Sequence, residues 1–254
     1  MIVSRKLNRS KRTTCDLSGP LLVGLLAGDE GAVRRALGEA RERGADTAVI
    51  ARDLVGPALC EVGDMWRRGE VSVAEEHLAT ALVARSLSQL SASIPAPSIG
   101  SPRILFTCLE GEFHDLGIRI LSDVAREAGW EAENLGANVP RHAMIEFVAV
   151  RRPDALGLSI CLAGHVPEAA KTIEQLRAAA PGTKILAGGH ALETDPSLCE
   201  LVPADVTLPD VLALRDWLRE NGPKGTPAGK ARSRVQAPPS SLPASFRRRL
   251  DSPD

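Results

Sequence analysis

Residues 103–117 have the sequence RILFTCLEGEFHDLG, and this stretch decides the fold. Its first seven residues form a short apolar run typical of a buried strand. The following EGEFHDLG places a histidine between acidic residues, and a helical pattern begins at Asp115. The stretch therefore predicts a strand, a loop and a helix in immediate succession, which is the first half of a βαβ unit.

The same alternation continues to residue 221. Strand-like runs at 130–136, 154–160, 183–189 and 204–209 alternate with helical patterns at 115–128, 140–151, 166–180 and 210–220. This order predicts a doubly wound parallel five-stranded sheet of the Rossmann-like (flavodoxin-like) type over residues 103–221. Ligands of such sheets bind beyond the carboxyl ends of the strands. We therefore expect EGEFHDLG to lie at the ligand-binding edge.

The preceding part of the chain has a helical period. Residues 17–93 carry apolar side chains at helical spacing with glycine breaks, which predicts four helices at 17–28, 29–44, 45–69 and 71–90 and an antiparallel four-helix bundle. Residues 94–102 contain three prolines and are predicted to be a linker. The basic ends, 1–16 and 222–254, are expected to be disordered tails that either solubilise the chain or contact phosphate or an acidic partner.

Composition narrows the class of protein. The chain is 44% hydrophobic, 25% charged and 3% aromatic, which is ordinary for a globular protein apart from the few aromatic residues. Its five cysteines include no C-x-x-C pair, so neither a disulfide framework nor a thiolate zinc site is indicated. No apolar run is long enough to span a membrane and no signal-peptide core is found, so a cytoplasmic location without membrane association is expected.

Several small or ionisable residues follow the predicted strands. Glu112 or Asp115 could fix the tautomer of His114 and leave its other ring nitrogen for a metal or a proton. Gly117, and the glycines in NLGANVP, LSICLAGH and LAGGH, suggest a cleft for a long, flat or tailed ligand. From these residues alone, general-base catalysis, metal binding and no function all remain open. Three further histidines are weaker candidates for ligand contact, the best being the one after the glycine pair: His142, His165 and His190.

Three motifs, GEFHDLG, PDALGLSIC and ILAGGH, resemble the D-x-H-x-x-G, S-x-L and G-G signatures of the cobalamin-binding domain family. The resemblance implies that His114 replaces the cofactor's own nucleotide base as the lower axial ligand of cobalt, with Glu112 as its hydrogen-bonding partner. It also implies a slot for the detached nucleotide tail, lined by Gly117, Ser159, Gly188 and Gly189. The chain departs from the signatures in two places: Glu112 replaces Asp, and Cys161 replaces Leu.

The predicted bundle carries a second group of residues in GDMWRRGEVSVAEEHLA. Gly69 suits the end of the third helix, and Ser72 with Glu75 forms a capping box that begins the fourth. Trp66, Glu76 and His77 then lie close together across a corner of the bundle. They are either a core residue beside a solvated face or a lid over a planar cofactor.

This second group resembles the helical cap of adenosylcobalamin-dependent CarH-type photoreceptor regulators and of AerR-type antirepressors. The resemblance implies that Trp66 covers the upper corrin face and that Glu76 and His77 contact the adenosyl group or the surrounding pocket. It favours adenosylcobalamin, with methyl- or hydroxocobalamin as possible forms. Arg67 stands where some of these photoreceptors have a cobalt-capturing histidine, which leaves His77 as the substitute.

The sequence therefore predicts a cobalamin-binding sensor of light or cofactor state. Because about 16 residues precede the first predicted helix, sequence-specific DNA binding is not expected, and the sensor should act on a transcription regulator or another protein partner. Homo-oligomer formation is possible. The alternatives are a corrinoid shuttle subunit of a methyltransferase and a plain cobalamin carrier. A complete enzyme is disfavoured, since no barrel-sized domain is present to hold a substrate over the cofactor.

Overall fold

The computed structural model describes residues 14–223, so most of each predicted tail (1–16 and 222–254) lies outside this range. The last part of the predicted N-terminal tail is folded. Cys15–Leu17 form a 3-10 turn, in which Leu17 is buried, and Thr14 before it is buried as well. Asp16 accepts a hydrogen bond of 2.7 Å from Arg43, so this end is tied to the second helix.

The N-terminal unit is the predicted helical bundle, with one irregularity. Its helices are α1 (Ser18–Leu26), α2 (Glu30–Glu42), α3 (Thr47–Ile50), α4 (Gly56–Arg67) and α5 (Val73–Ser91). A π-helical segment, Ala51–Val55, joins α3 to α4, so the predicted third helix is not uniformly α-helical. The Gly56 amide bonds the Ala51 carbonyl, and Pro57 follows with no N–H for the next α-helical bond.

Both ends of the corner between α4 and α5 follow the local sequence signals. Gly69 has a positive φ of 73°, and the amide of Glu70 donates to the Met65 carbonyl at 2.9 Å, which closes α4 with a Schellman motif. Ser72 and Glu75 form the predicted capping box of α5.

The C-terminal unit is the predicted parallel sheet. Its strands are β1 (Arg103–Cys108), β2 (Glu131–Asn134), β3 (Ala155–Ser159), β4 (Lys184–Gly188) and β5 (Val206–Thr207), all parallel, in the order β2-β1-β3-β4-β5. The helices are α6 (Leu116–Glu127), α7 (Arg141–Arg151), α8 (Val166–Ala179), α9 (His190–Thr194) and α10 (Val211–Asn221). The strand order reverses between β1 and β3, so the carboxyl ends of these two strands mark the expected ligand edge.

The bundle packs on α6 and α10, and one apolar core includes residues of both units. Polar contacts also join the bundle to α6 and α10. Glu127 of α6 accepts hydrogen bonds from the Arg41 guanidinium at 2.5 Å and from the Thr47 amide at 3.0 Å. Asp46 accepts from Arg215 at 3.2 Å and from Arg219 at 3.1 Å. Among the described residues, no helix is both long and apolar enough to cross a bilayer.

Candidate functional site

The loop after β1 holds Glu112 in a fixed position. Its amide donates to the Leu109 carbonyl at 3.1 Å, and its carbonyl accepts from the Asn138 amide, in the loop after β2, at 2.8 Å. Gly111, with a φ of 81°, provides the left-handed backbone that the turn requires. The Glu112 side chain is therefore directed by backbone bonds on two neighbouring loops.

The Glu112 carboxylate is fully buried and accepts four hydrogen bonds. One oxygen, Oε1, accepts from the ring Nδ1 of His114 and from the His114 amide. The other, Oε2, accepts from the His165 ring at 3.2 Å and from the Cys161 amide at 3.3 Å. Burial by itself raises the pKa of Glu112, but the hydrogen bonds, chiefly those from His114, bring it below its ordinary value. The group is thus an anionic acceptor behind His114.

His114 presents its ring to the outside of this carboxylate. The side chain is 65% exposed, although its partner Glu112 is buried. Because Glu112 accepts from Nδ1, the neutral ring has its acceptor lone pair on Nε2, the nitrogen that can bind a metal. The sequence left both Glu112 and Asp115 open as partners of the His114 ring. In the structure the partner is Glu112. Asp115 instead accepts a hydrogen bond from Arg119, one helical turn further on, at 2.6 Å.

Glu112, His114 and Cys161 have ligand atoms within 4.8 Å of one another, a spacing that could also hold a bare metal ion. Burial raises the pKa of the Cys161 thiol, however, which disfavours the thiolate that metals prefer. The exposed imidazole therefore fits a metal that approaches from one side, as in a cofactor, better than an ion enclosed by three side chains.

A cavity of about 240 Å³ opens beside the ends of β1, β3 and β4. Five of the predicted site residues line it: Gly117, Ser159, Gly188, Gly189 and His190. A Cβ added at Gly117 would meet nothing within 4 Å, so that position leaves open space. Gly189 is different, because it has a φ of 118° and an added Cβ would lie 2.6 Å from the Ile160 carbonyl oxygen.

A second cavity, of about 540 Å³, shares Gly117 and His190 with the first. It continues to Arg52 of the π-helical segment and to Cys60 of α4. Because they share lining residues, the two cavities lie side by side between the strand ends and the helical unit, an arrangement that suits an extended ligand better than a small one.

The predicted cap residues lie elsewhere on the bundle. Trp66 is 48% exposed, so it is not a core residue. The ring of His77 bonds Glu76 at 2.6 Å, and Arg67 pairs with Asp64. Within residues 14–223, neither Trp66 nor the Glu76–His77 pair lines either cavity. The structure therefore does not place these three residues among those that line the cavities at the strand ends.

The three weaker histidine candidates differ in what they contact. His190 lines both cavities, whereas the exposed His142, at the start of α7, lines neither. His165 contacts Glu112, a role that the sequence reasoning missed. Its only signal was its position shortly after Ser159, at the end of the strand next to β1.

The fold and the site together define a class of protein. Two families, each described as a B12 binding domain, match this chain, one at residues 20–91 and the other at residues 102–210. The two matches cover the helical unit and most of the sheet unit. The chain therefore belongs to the cobalamin-binding proteins, which confirms the family expected from its motifs.

Particular relatives fall into two groups. The HTH-type transcriptional repressors CarH and CarA of Myxococcus xanthus are 30% identical over 156 residues (61% of this chain, 51% of the relative) and 35% identical over 173 residues (67% and 57%). The match thus spans little more than half the length of these repressors. Dimethylamine corrinoid protein 1 of Methanosarcina acetivorans is 26% identical over 162 residues (62% and 74%).

A solved structure shares the fold. The monomethylamine corrinoid protein of Methanosarcina barkeri superposes with a TM-score of 0.67 at 16% identity, covering 82% of this chain and 99% of that protein. The helical bundle followed by a parallel five-stranded sheet is therefore a known arrangement, as predicted.

Proposed function

We propose that this chain binds cobalamin with His114 as the lower axial ligand of cobalt and Glu112 as the partner that orients it. The observation that carries the proposal is the exposed His114 ring, whose Nδ1 is held by a fully buried carboxylate. A carboxylate behind a ligating histidine fixes the ring and raises its basicity. The site fits the cofactor in chemistry, since it offers one oriented imidazole at the ligand edge of the sheet.

The nucleotide tail of the cofactor would occupy the cavity beside Gly117, Ser159 and Gly188. Backbone atoms are accessible there because glycines replace larger side chains, and Gly189 permits the backbone turn that begins α9. His190 lines the same cavity and can donate to or accept from the tail. Asp115, which forms an ion pair with Arg119 at the start of α6, is proposed to contact the cofactor at its periphery.

The function of the loaded protein is proposed to be sensory. Trp66 of α4 is a large exposed aromatic side chain, and the ring of His77 on α5 bonds Glu76. These three residues are proposed to contact the upper part of the cofactor. Adenosylcobalamin supplies a light-cleavable cobalt–carbon bond when bound. A change in bundle position would alter the polar contacts between the two units, in which Thr47 donates to Glu127 of α6 and Arg215 of α10 donates to Asp46. A transcription regulator is the proposed partner, because the relatives CarH and CarA are transcriptional repressors.

Light tests this function directly. The purified chain is loaded with adenosylcobalamin in the dark, and its absorption spectrum and oligomeric state are measured before and after green light. A spectral change that accompanies a change in assembly is expected. Trp66→Ala should alter the rate of that change, whereas Val23→Ala, which removes another exposed apolar side chain of the bundle, should not. No change in spectrum or assembly with light would contradict the sensory function.

A second candidate function is that of a corrinoid shuttle subunit for a methyltransferase. It is favoured by the match to a dimethylamine corrinoid protein, which extends over 74% of that relative. His114 and Glu112 would play the same part in a shuttle. Methyl transfer from the methylcobalamin-loaded chain to a thiol acceptor, in the presence of a methyltransferase and without a light response, would establish this alternative.

A further inference from the structure

The Glu112 carboxylate bonds two histidines, one on each oxygen. His114 occupies Oε1, and the His165 ring donates from Nδ1 to Oε2 at 3.2 Å. The carboxylate is fully buried, and the His165 side chain is only 23% exposed. A buried carboxylate is stable only when donors satisfy both of its oxygens. The back side of Glu112 is therefore part of the same hydrogen-bonded group as the proposed cobalt ligand.

The two histidines come from different strands. His114 follows β1, whereas His165 ends the short 3-10 turn Ala163–His165 after β3, immediately before α8. The His165 amide donates to the Leu162 carbonyl at 3.0 Å, which fixes the backbone of that turn. A Cβ at Gly111 would lie 3.8 Å from the His165 Nε2, so the ring packs against the loop that carries Glu112. His165 thus links the two loops at the strand-order reversal.

The Glu112 side chain is long enough to bond both histidines. The cobalamin-binding signature has an aspartate at this position, and glutamate adds one methylene group. In this chain the longer side chain reaches the His165 ring with one oxygen while the other still accepts from His114.

We propose that His165 is a positioning residue of the cofactor site, and that Glu112 and His165 act as a coupled pair that orients His114. The inference rests on the proposed ligation of cobalt by His114. Without the His165 ring, the Cys161 amide at 3.3 Å is the one donor left to Oε2 among residues 14–223. The carboxylate then turns toward other donors, and the His114 ring loses its fixed orientation.

Dark titrations with adenosylcobalamin test the pair. Loss of an outer partner of a metal ligand lowers affinity by about 10- to 100-fold, so His165→Ala should weaken cobalamin binding by about tenfold and shift part of the absorption spectrum from the histidine-bound to the base-off form. His165→Asn places an amide donor where Nδ1 lies and should restore most of the affinity and the spectrum. His142→Ala, an exposed histidine at the start of α7, is the matched control.

A double-mutant cycle separates coupling from general damage. Glu112→Asp should shorten the reach to His165, so adding His165→Ala to Glu112→Asp should cost less than His165→Ala alone. Equal costs in both backgrounds, or a His165→Ala variant that binds and absorbs like His142→Ala, would overturn the inference. A native chain that binds no cobalamin would contradict the proposed function and the inference with it. If binding through His114 persists, the other negative results concern His165 alone.

Side-chain NMR of the apoprotein gives an answer that does not need the cofactor or a stable alanine variant. The inference expects the His165 ring of the native chain to carry a proton on Nδ1 that is hydrogen-bonded to Glu112. A His165 ring protonated on Nε2 alone would overturn it.

Discussion

Replacing Gly189 by alanine tests how tightly the end of β4 is built around the proposed tail cavity. Gly189 has a φ of 118°, and an added Cβ would lie 2.6 Å from the oxygen, 2.7 Å from the nitrogen and 2.9 Å from the carbonyl carbon of Ile160. All three are backbone atoms. Ile160 cannot move freely, because its amide donates to Gly188 at 2.8 Å and its carbonyl accepts from Ala191 at 3.1 Å.

The expected cost follows from these contacts. A residue other than glycine at this φ costs about 1–3 kcal/mol in backbone strain. Relief of the clash requires Ile160 to shift, which weakens two backbone hydrogen bonds that contribute about 1 kcal/mol each. Gly189→Ala should therefore lower the free energy of unfolding by about 3–5 kcal/mol, and the melting temperature by about 6–20 °C for a chain of this size.

Urea unfolding followed by circular dichroism measures this loss. Gly182→Ala is the control, because an added Cβ there would meet nothing within 4 Å and its φ is not positive. The control should change stability by less than about 1 kcal/mol. A Gly189→Ala variant as stable as the Gly182→Ala variant would refute the argument from backbone contact.

Three further predictions concern the boundary between the units and the buried groups. Asp46→Ala removes the cap of α3 and ion pairs to two arginines of α10, so urea unfolding should show a loss of about 1–2 kcal/mol, and Asp46→Asn, which can keep the cap, should lose less. Burial raises the pKa of Asp123, so its contribution to stability is present at low pH and is lost as the pH rises through the folded-state pKa. Asp123→Asn should accordingly gain stability relative to the native chain as unfolding is measured from about pH 3 to about pH 7, and an unchanged difference would contradict this. Exposed Cys15 and Cys60 should react quickly with a thiol reagent at about pH 8, whereas buried Cys108, whose pKa is raised by burial to about 12, should react only after unfolding; rapid labelling of Cys108 would contradict its burial.

Most of the fold was predictable because its signals are local. Apolar runs and helical periods marked each strand of the sheet unit and its helices α6, α7, α8 and α10 to within a few residues, and the Ser72–Glu75 capping box marked the start of α5. The short helix α9, directly after Gly189, was not predicted. The π-helical segment was not predicted, since the hydrophobic pattern of 45–69 continues through it and Pro57 alone disturbs the hydrogen bonding. The folded turn at Cys15–Leu17 was also missed, because its support comes from Arg43, distant in sequence.

In the candidate site, too, contacts between residues close in sequence were predictable and contacts between distant residues were not. Glu112 and His114 are two residues apart in one loop, and the family resemblance implied their contact, whereas the residues alone left Asp115 open as the partner. The contact between Glu112 and His165 depends on β1 and β3 being neighbours, a consequence of strand order that no local motif encodes. The roles of Trp66, Glu76 and His77 stay predictions, since these residues lie outside the described cavities at the strand ends.

Ligation of cobalt by His114 is the central claim, and one titration tests it most directly. The native chain, His114→Ala and the control His142→Ala are each titrated with adenosylcobalamin in the dark, and the affinity and absorption spectrum are recorded. The native chain and the control should bind tightly with the spectrum of histidine-bound cobalt, and His114→Ala should lose tight binding. Unchanged affinity together with an unchanged spectrum in His114→Ala would contradict the claim.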